Sequence, residues 1–169
     1  MKLKEALTYD DVLLTPQYSD ILSRKEVEIG NDLGPGLRLK IPIISAPMDT
    51  VTGGVLAKTM SNNGALGILH RYNSIEEQAN MARAALALDS DPHSDHRESL
   101  PVPLVGAAVG ITGDFEDRVR ALFSVGVDVI CVDVAHGHHK LVERAIKTIK
   151  DAYAEAIHIM AGNVATLQA

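Results

Sequence analysis

The 169-residue chain has no tryptophan, two phenylalanines, four tyrosines and one cysteine. With so few rings, its core must be built from Ile, Val, Leu, Ala and Met. A lone cysteine cannot close an internal disulfide, which argues against a disulfide-stapled secreted scaffold and fits a reducing, cytoplasmic setting. Basic residues are in deficit, 16 Lys and Arg against 22 Asp and Glu, leaving a formal net charge of -6. The chain therefore lacks the basic stripe that nucleic acid or an anionic membrane surface selects. No apolar run is long enough to span a bilayer. Met1-Lys2-Leu3-Lys4-Glu5 lacks the apolar stretch of a secretory signal. No Gly-x-Gly-x-x-Gly follows the first apolar run, which weakens a dinucleotide-binding Rossmann reading.

What is present is an alternation. The composition, 46% hydrophobic and 22% charged, is that of an ordinary globular chain. Residues 1–40 read as an irregular lead-in, with a turn cluster from Asn31 to Gly36. Ile41 to Ala46 reads as a first buried strand, Ala65 to His70 as a second, Leu104 to Gly110 as a third, Val127 to Val134 as a fourth and Ile157 to Ala161 as a fifth. Helical patterns lie between them. Gly53 to Asn63 is closed by Asn62-Asn63-Gly64. A helix to about Leu88 opens at the capping-box pattern Ser74-Ile75-Glu76-Glu77. Asp114 opens a helix with Phe115, Val119 and Leu122 on one face, and Leu141 to Tyr153 carries Ala145, Ile146 and Ile149 at helical spacing. Asn163-Val164-Ala165-Thr166 reads as the start of a further helix, with Asn163 as its N-cap. The polar stretch 89–103 reads as a solvated loop.

Successive β/α units imply a parallel sheet with helices outside it. Polar residues stand at several strand ends, not at one crevice, which favours a TIM (β/α)8 barrel over an open sheet. A barrel needs eight units and about 250 residues. The expected fold is therefore a partial barrel of the first five or so strands, residues 41–169. Its open face and unpaired edges call for a complementing half or a homo-oligomer.

Cys131 lies inside an apolar run and reads as a small buried hydrophobe. His136, His138 and His139 lack the i, i+4 spacing of strong zinc pairs, so no metal site is expected there.

Four segments occur in order: Leu7-Thr8-Tyr9-Asp10-Asp11-Val12-Leu13-Leu14, Ser45-Ala46-Pro47-Met48-Asp49-Thr50-Val51, Asp133-Val134-Ala135-His136-Gly137-His138 and Ala161-Gly162-Asn163-Val164-Ala165-Thr166. Together they resemble the inosine monophosphate dehydrogenase and guanosine monophosphate reductase family. The resemblance implies a (β/α)8 barrel binding a purine nucleotide, IMP or GMP, and NAD (NADP in a reductase) at its C-terminal face. In the dehydrogenase a cysteine attacks purine C2, hydride passes to NAD, and water hydrolyses the thioimidate. That cysteine belongs to a Gly-Ser-x-Cys-Thr-Thr loop after strand 6, expected beyond Ala169, as are the phosphate loops and the monovalent cation site. No catalytic residue is therefore expected in this chain, which should be inactive alone.

The resemblance assigns binding roles. Ser45, Ala46 and Met48 would line the purine pocket, with Met48 against the base. Asn163 would bridge nucleotide and cofactor. Asp133 would accept hydrogen bonds from the nicotinamide ribose, since one carboxylate can serve two vicinal hydroxyls. Ala135, His136 and Arg71 would stand near the cofactor. Regulatory CBS modules, which most dehydrogenases of the family insert between helix 2 and strand 3, are replaced here by the short 89–103 stretch. That fits a reductase or an insert-free dehydrogenase. Gly106-Ala107-Ala108-Val109-Gly110 and Asp49-Thr50-Val51-Thr52 favour the dehydrogenase. A non-catalytic half-barrel serving as an interaction module is the competing reading.

Overall fold

The structure, a computed structural model, describes residues 5–87 and 104–169. The loop expected over 89–103 lies outside the described residues. Elements follow in the order β1 Asn31–Asp32, β2 Arg38–Leu39, β3 Ile44–Ser45, α1 Gly54–Asn62, β4 Leu66–Leu69, α2 Ile75–Leu86, β5 Val105–Val109, α3 Phe115–Ser124, β6 Val129–Asp133, α4 Lys140–Tyr153 and β7 His158–Gly162. Strands β3 to β7 form one parallel sheet in chain order, and β1 pairs with β2 as an antiparallel hairpin. Each strand docks on the same side of its predecessor. That progression curls the sheet into a half-barrel, whereas a doubly wound sheet reverses its order at a switch point.

Every residue of β4 and β5 is buried. Both faces of these strands are covered, which is why their sequences run apolar without alternation. On the convex face Leu69, Val105, Ala107, Val109, Ile130 and Val132 pack against Ala57, Ala82, Val119, Leu122, Val142 and Ile149 of the helices. On the concave face Leu66, Ile68, Ala108 and Val129 meet Leu37 and Leu39 of the hairpin, with Leu104, Cys131 and Met160 half-buried beside them. The hairpin plugs the floor: the amides of Lys40 and Ile41 donate to the Gly64 carbonyl (2.7 and 3.1 Å), just before β4. The lead-in is thus not wholly irregular; its last ten residues carry part of the inner core.

Strand β4 lies unusually close to α1. A Cβ on Gly67 would fall 2.6 Å from the Ala57 Cα, so only glycine fits. At the start of β5, an Asp128 carboxylate oxygen accepts from the Val105 amide at 2.9 Å and ties the segment before β6 to β5. Burial pushes this carboxyl above its ordinary range.

Helix starts follow their chemistry. The Ser74 hydroxyl accepts from the Glu77 amide (3.1 Å), and the Glu77 carboxylate accepts from the Ser74 amide (2.8 Å), forming the expected capping box. Those donated hydrogen bonds hold the Glu77 carboxyl below its ordinary range. Helix α4 is capped by His139, whose Nδ1 accepts from the Leu141 amide at 3.1 Å.

Two expectations are corrected. The first strand shrinks to Ile44–Ser45. Pro42 has no amide to donate, and the Ile43 amide turns back to Ile41 at 2.8 Å. No helix begins at Asn163, so it is not an N-cap. Its main-chain groups are engaged sideways with the loop after β6, which takes residues 163 and 164 out of helical conformation.

Candidate functional site

A parallel sheet delivers the carboxyl ends of all its strands to one rim, where the side chains are held by short loops on a rigid frame. The loop after β3 is knotted by Thr52, a fully buried residue. Its hydroxyl donates to the Ala46 carbonyl at 2.6 Å and stands 2.9 Å from the Ser45 hydroxyl. The amides of Val51 and Thr52 donate to the Met48 carbonyl at 3.0 and 2.9 Å, and the Met48 amide donates to Ala46 at 2.8 Å. This compact turn leaves the Met48 side chain half out, 51% exposed.

The loop after β4 is tied to the same knot, because the His70 amide donates to the Thr52 carbonyl at 3.3 Å. Arg71 packs its guanidinium 5.6 Å from the centre of the Tyr72 ring. It also lies over Gly110 at the end of β5, where an added Cβ would come 3.6 Å from its Nη1. His70 Nδ1, Arg71 Nε and Asn73 Nδ2 are buried polar atoms without a hydrogen-bond partner among the described residues.

The ends of β6 and β7 are zipped together. The Val134 amide donates to Gly162 (3.0 Å), the Asn163 amide to Val134 (2.8 Å) and the Gly137 amide to Asn163 (2.7 Å). A Cβ at Gly137 would sit 2.8 Å from the Asn163 carbonyl oxygen, so this close approach requires glycine. The Gly162–Asn163 peptide bond is cis.

Between these loops lies a cleft of about 300 Å³ lined by Pro47, Met48, Asp49, Tyr72 and Asp133. Two carboxylates, one ring and one thioether make its chemistry. Asp49 accepts from the Thr50 amide at 2.9 Å. Asp133 accepts no hydrogen bond among the described residues, so its oxygens are open to a donor. The lining contains no Lys or Arg. Such a cleft suits a flat ring and a set of hydroxyl donors, and it disfavours a phosphate held directly against the two carboxylates.

The sequence-selected residues therefore gather at one rim. Met48 and Asp133 face the same cleft. Ser45 and Ala46, just before the cleft residues in sequence, are held by Thr52 and are not part of its lining. Arg71 stands beside it on Gly110. Ala135 and His136 are exposed on the loop after β6, and Asn163 is joined to that loop through its main chain. Sequence reasoning missed Pro47, Asp49 and Tyr72 as cleft walls and Thr52 as the knot. Pro47, Asp49 and Thr52 lie in segments quoted for their pattern and Tyr72 just after the second strand, but nothing in the pattern says which side chains line one cleft.

Known proteins give this geometry its context. The chain is 28% identical to the inosine-5'-monophosphate dehydrogenase of Nitrosopumilus maritimus, over 99% of this chain and 58% of that protein. It is 32% identical to the enzyme of the same name from Borreliella burgdorferi, over 98% of this chain and 50% of that protein. A GMP reductase from Leishmania donovani is 48% identical over 99 residues, 59% of this chain and 20% of the reductase. The chain spans about half the length of the curated relatives it matches along its whole extent. With five parallel strands curled as a half-barrel, a shared rim, and residues 6–169 matching the IMP dehydrogenase / GMP reductase domain, the chain belongs to that family.

Proposed function

We propose that this chain carries the purine-nucleotide and cofactor rim of an IMP dehydrogenase, working with a complementing C-terminal half. The carrying observation is the cleft between β3 and β6, where Met48 and Asp133 line one space of about 300 Å³ together with Pro47, Asp49 and Tyr72. The relatives matched across nearly the whole chain bear the dehydrogenase name.

In this reading Met48 packs on the purine base, with Ser45 and Ala46 shaping the wall behind it. Asp133 accepts from the two ribose hydroxyls next to the nicotinamide; its carboxylate is free to do so, and Tyr72 offers a ring face nearby. Asn163, Ala135 and His136 border the same entrance, and Arg71 supplies the positive charge that the cleft lining lacks. NAD, when bound, supplies the hydride acceptor. The residues of this chain bind and orient the two partners so that the reacting carbons meet.

The nucleophile comes from elsewhere in this reading. Cys131 sits half-buried on the concave floor, and burial, aided by the Asp133 charge, pushes its thiol up to about 11. At neutral pH it is a thiol and not a thiolate, unsuited to attack. The chain alone should accordingly bind but not turn over.

GMP reductase is the second reading, favoured by the 48% identity over 99 residues. One set of measurements separates the two. The chain is titrated with IMP, GMP, NAD and NADPH, then mixed with the C-terminal half-barrel of a relative. NADH formation from IMP and NAD supports the dehydrogenase, and NADPH consumption with GMP supports the reductase. The D133N variant should weaken dinucleotide binding roughly tenfold, the scale of one lost charged hydrogen bond, and leave IMP binding intact. Binding of no nucleotide, by the chain or by the mixture, would leave a non-catalytic half-barrel instead.

A further inference from the structure

A buried arginine stands behind the cleft wall. Arg118, on α3, is only 7% exposed, and its guanidinium reaches four acceptors. Nη1 donates to the Gln78 side-chain oxygen at 2.9 Å and lies 3.4 Å from the Asn73 Oδ1. Nη2 donates to the Asn73 backbone carbonyl at 3.0 Å and to the Asp114 carboxylate at 2.8 Å. Gln78 itself is fully buried, and its amide nitrogen donates to the Ala108 carbonyl at 2.9 Å and reaches Leu69 at 3.5 Å. The network thus joins α2 and α3 to the carboxyl ends of β4 and β5, on the convex side of the sheet.

A charge so deeply enclosed is costly unless every arm is used, and here the fork is spread over three different residues. Its most consequential contact is the Asn73 carbonyl. Asn73 follows Tyr72, the cleft wall, and Arg71, which lies on Gly110. The segment from His70 to Asn73 is held at its start by the His70 amide on Thr52 and just after its end by the Ser74 capping box. Between those anchors, Arg118 is, among the described residues, the side chain of another element that grips its backbone. The geometry points to Arg118 as a positioning residue that, through Asn73, fixes the Tyr72 wall of the cleft from outside the barrel. The lysine analogue could satisfy Asp114 or Asn73, but its single ammonium cannot reproduce the planar fork.

For ligand binding, this inference rests on the purine-nucleotide reading above; the clamp itself does not. The test uses the full chain with R118M, R118K, R120M and L122A. Arg120 is 71% exposed and pairs only with Asp117 at 2.9 Å, which makes it the matched control. Amide hydrogen exchange is followed in the 70–74 segment and in α4, and affinities for IMP and NAD are measured by titration.

R118M should speed exchange in 70–74 by roughly tenfold or more, with α4 unchanged, and should weaken nucleotide binding by a similar factor. R118K should fall between R118M and the parent, and R120M should match the parent. L122A should speed exchange throughout α3 and the sheet without singling out 70–74. If R118M does not fold, R118K decides by the same comparison. Unchanged exchange in 70–74, or an equal rise in α4, overturns the clamp. Selective loosening without weaker binding overturns its role at the cleft. If the parent chain binds neither nucleotide, the functional reading fails while the exchange data still decide the clamp.

Discussion

The two faces of the same five-stranded sheet are packed in opposite ways. The convex face is closed by four helices and holds most of the fully buried side chains, Leu69, Leu122, Ile130 and Ile149 among them. The concave face is packed only toward its floor, by Leu37 and Leu39 of the hairpin, and opens along β6 and β7, where Cys131, His158 and Met160 are half-buried. The difference separates two jobs. Hydrophobic burial that holds the fold is concentrated outside, and the chemistry-bearing groups stand at the rim of the less crowded inside.

The largest expected effect contrasts the two cores directly. L122A removes a fully buried side chain from the convex core and should cost about 3 kcal/mol. M160A acts on the open concave side and should cost about 1 kcal/mol, because a partly buried methionine has less transfer energy to lose. Urea unfolding of both variants checks this, and equal losses would break the comparison.

A finer contrast uses two neighbouring glycines. In G67A the new methyl meets the backbone of α1, at 2.6 Å from the Ala57 Cα, and the helix must move. A loss of about 2 kcal/mol is expected. In G106A the methyl meets the Ile68 Cδ1, the far end of a flexible side chain that can yield where a helix backbone cannot. That loss should stay below about 1 kcal/mol. Thermal melts that rank the two the other way would place the tighter packing on the concave face.

The smallest effect concerns reactivity, not stability. Burial and the Asp133 charge raise the Cys131 thiol to about 11. Its thiolate fraction at pH 7 is correspondingly low, so alkylation by iodoacetamide should be slow there and climb until the pH passes about 11. The Asp133 contribution is repulsive, so D133N should lower the apparent value and speed the reaction at a given pH. A plateau already reached near pH 9 would mean that the concave floor is wetter and less acidic than its packing indicates.

Much of this architecture was legible in the chain. The apolar runs at 66–69 and 105–109 announced strands covered on both faces, and the run at 129–133 a strand buried over most of its length. Ser74 and Glu77, three residues apart, announced their helix start, because a capping box is a local hydrogen-bond exchange. Polar groups at several strand ends announced a rim. Three things escaped. The hairpin at 31–39 was hidden because its two-residue strands owe their pairing to Leu37 and Leu39 packing under a sheet formed much later in the chain. No helix begins at Asn163, whose amide donates to the Val134 carbonyl and whose carbonyl accepts from the Gly137 amide, contacts with no local signature. Gln78 and Arg118 carry no local sign of burial, which comes from the seam where α2 meets α3.

The order of residue types along the chain sufficed to set the β/α repeat, its single handed progression and the family it belongs to, since these depend on periodicity and on short motifs. Which side chains line the cleft together was decided only by the tertiary structure. Met48, Tyr72 and Asp133 come from three separate loops, and only the curl of the strands brings them to one wall. The same holds for the clamp: a guanidinium 45 residues from the carbonyl it grips has no local signature, because burial is a property of the packed seam and not of its sequence neighbours.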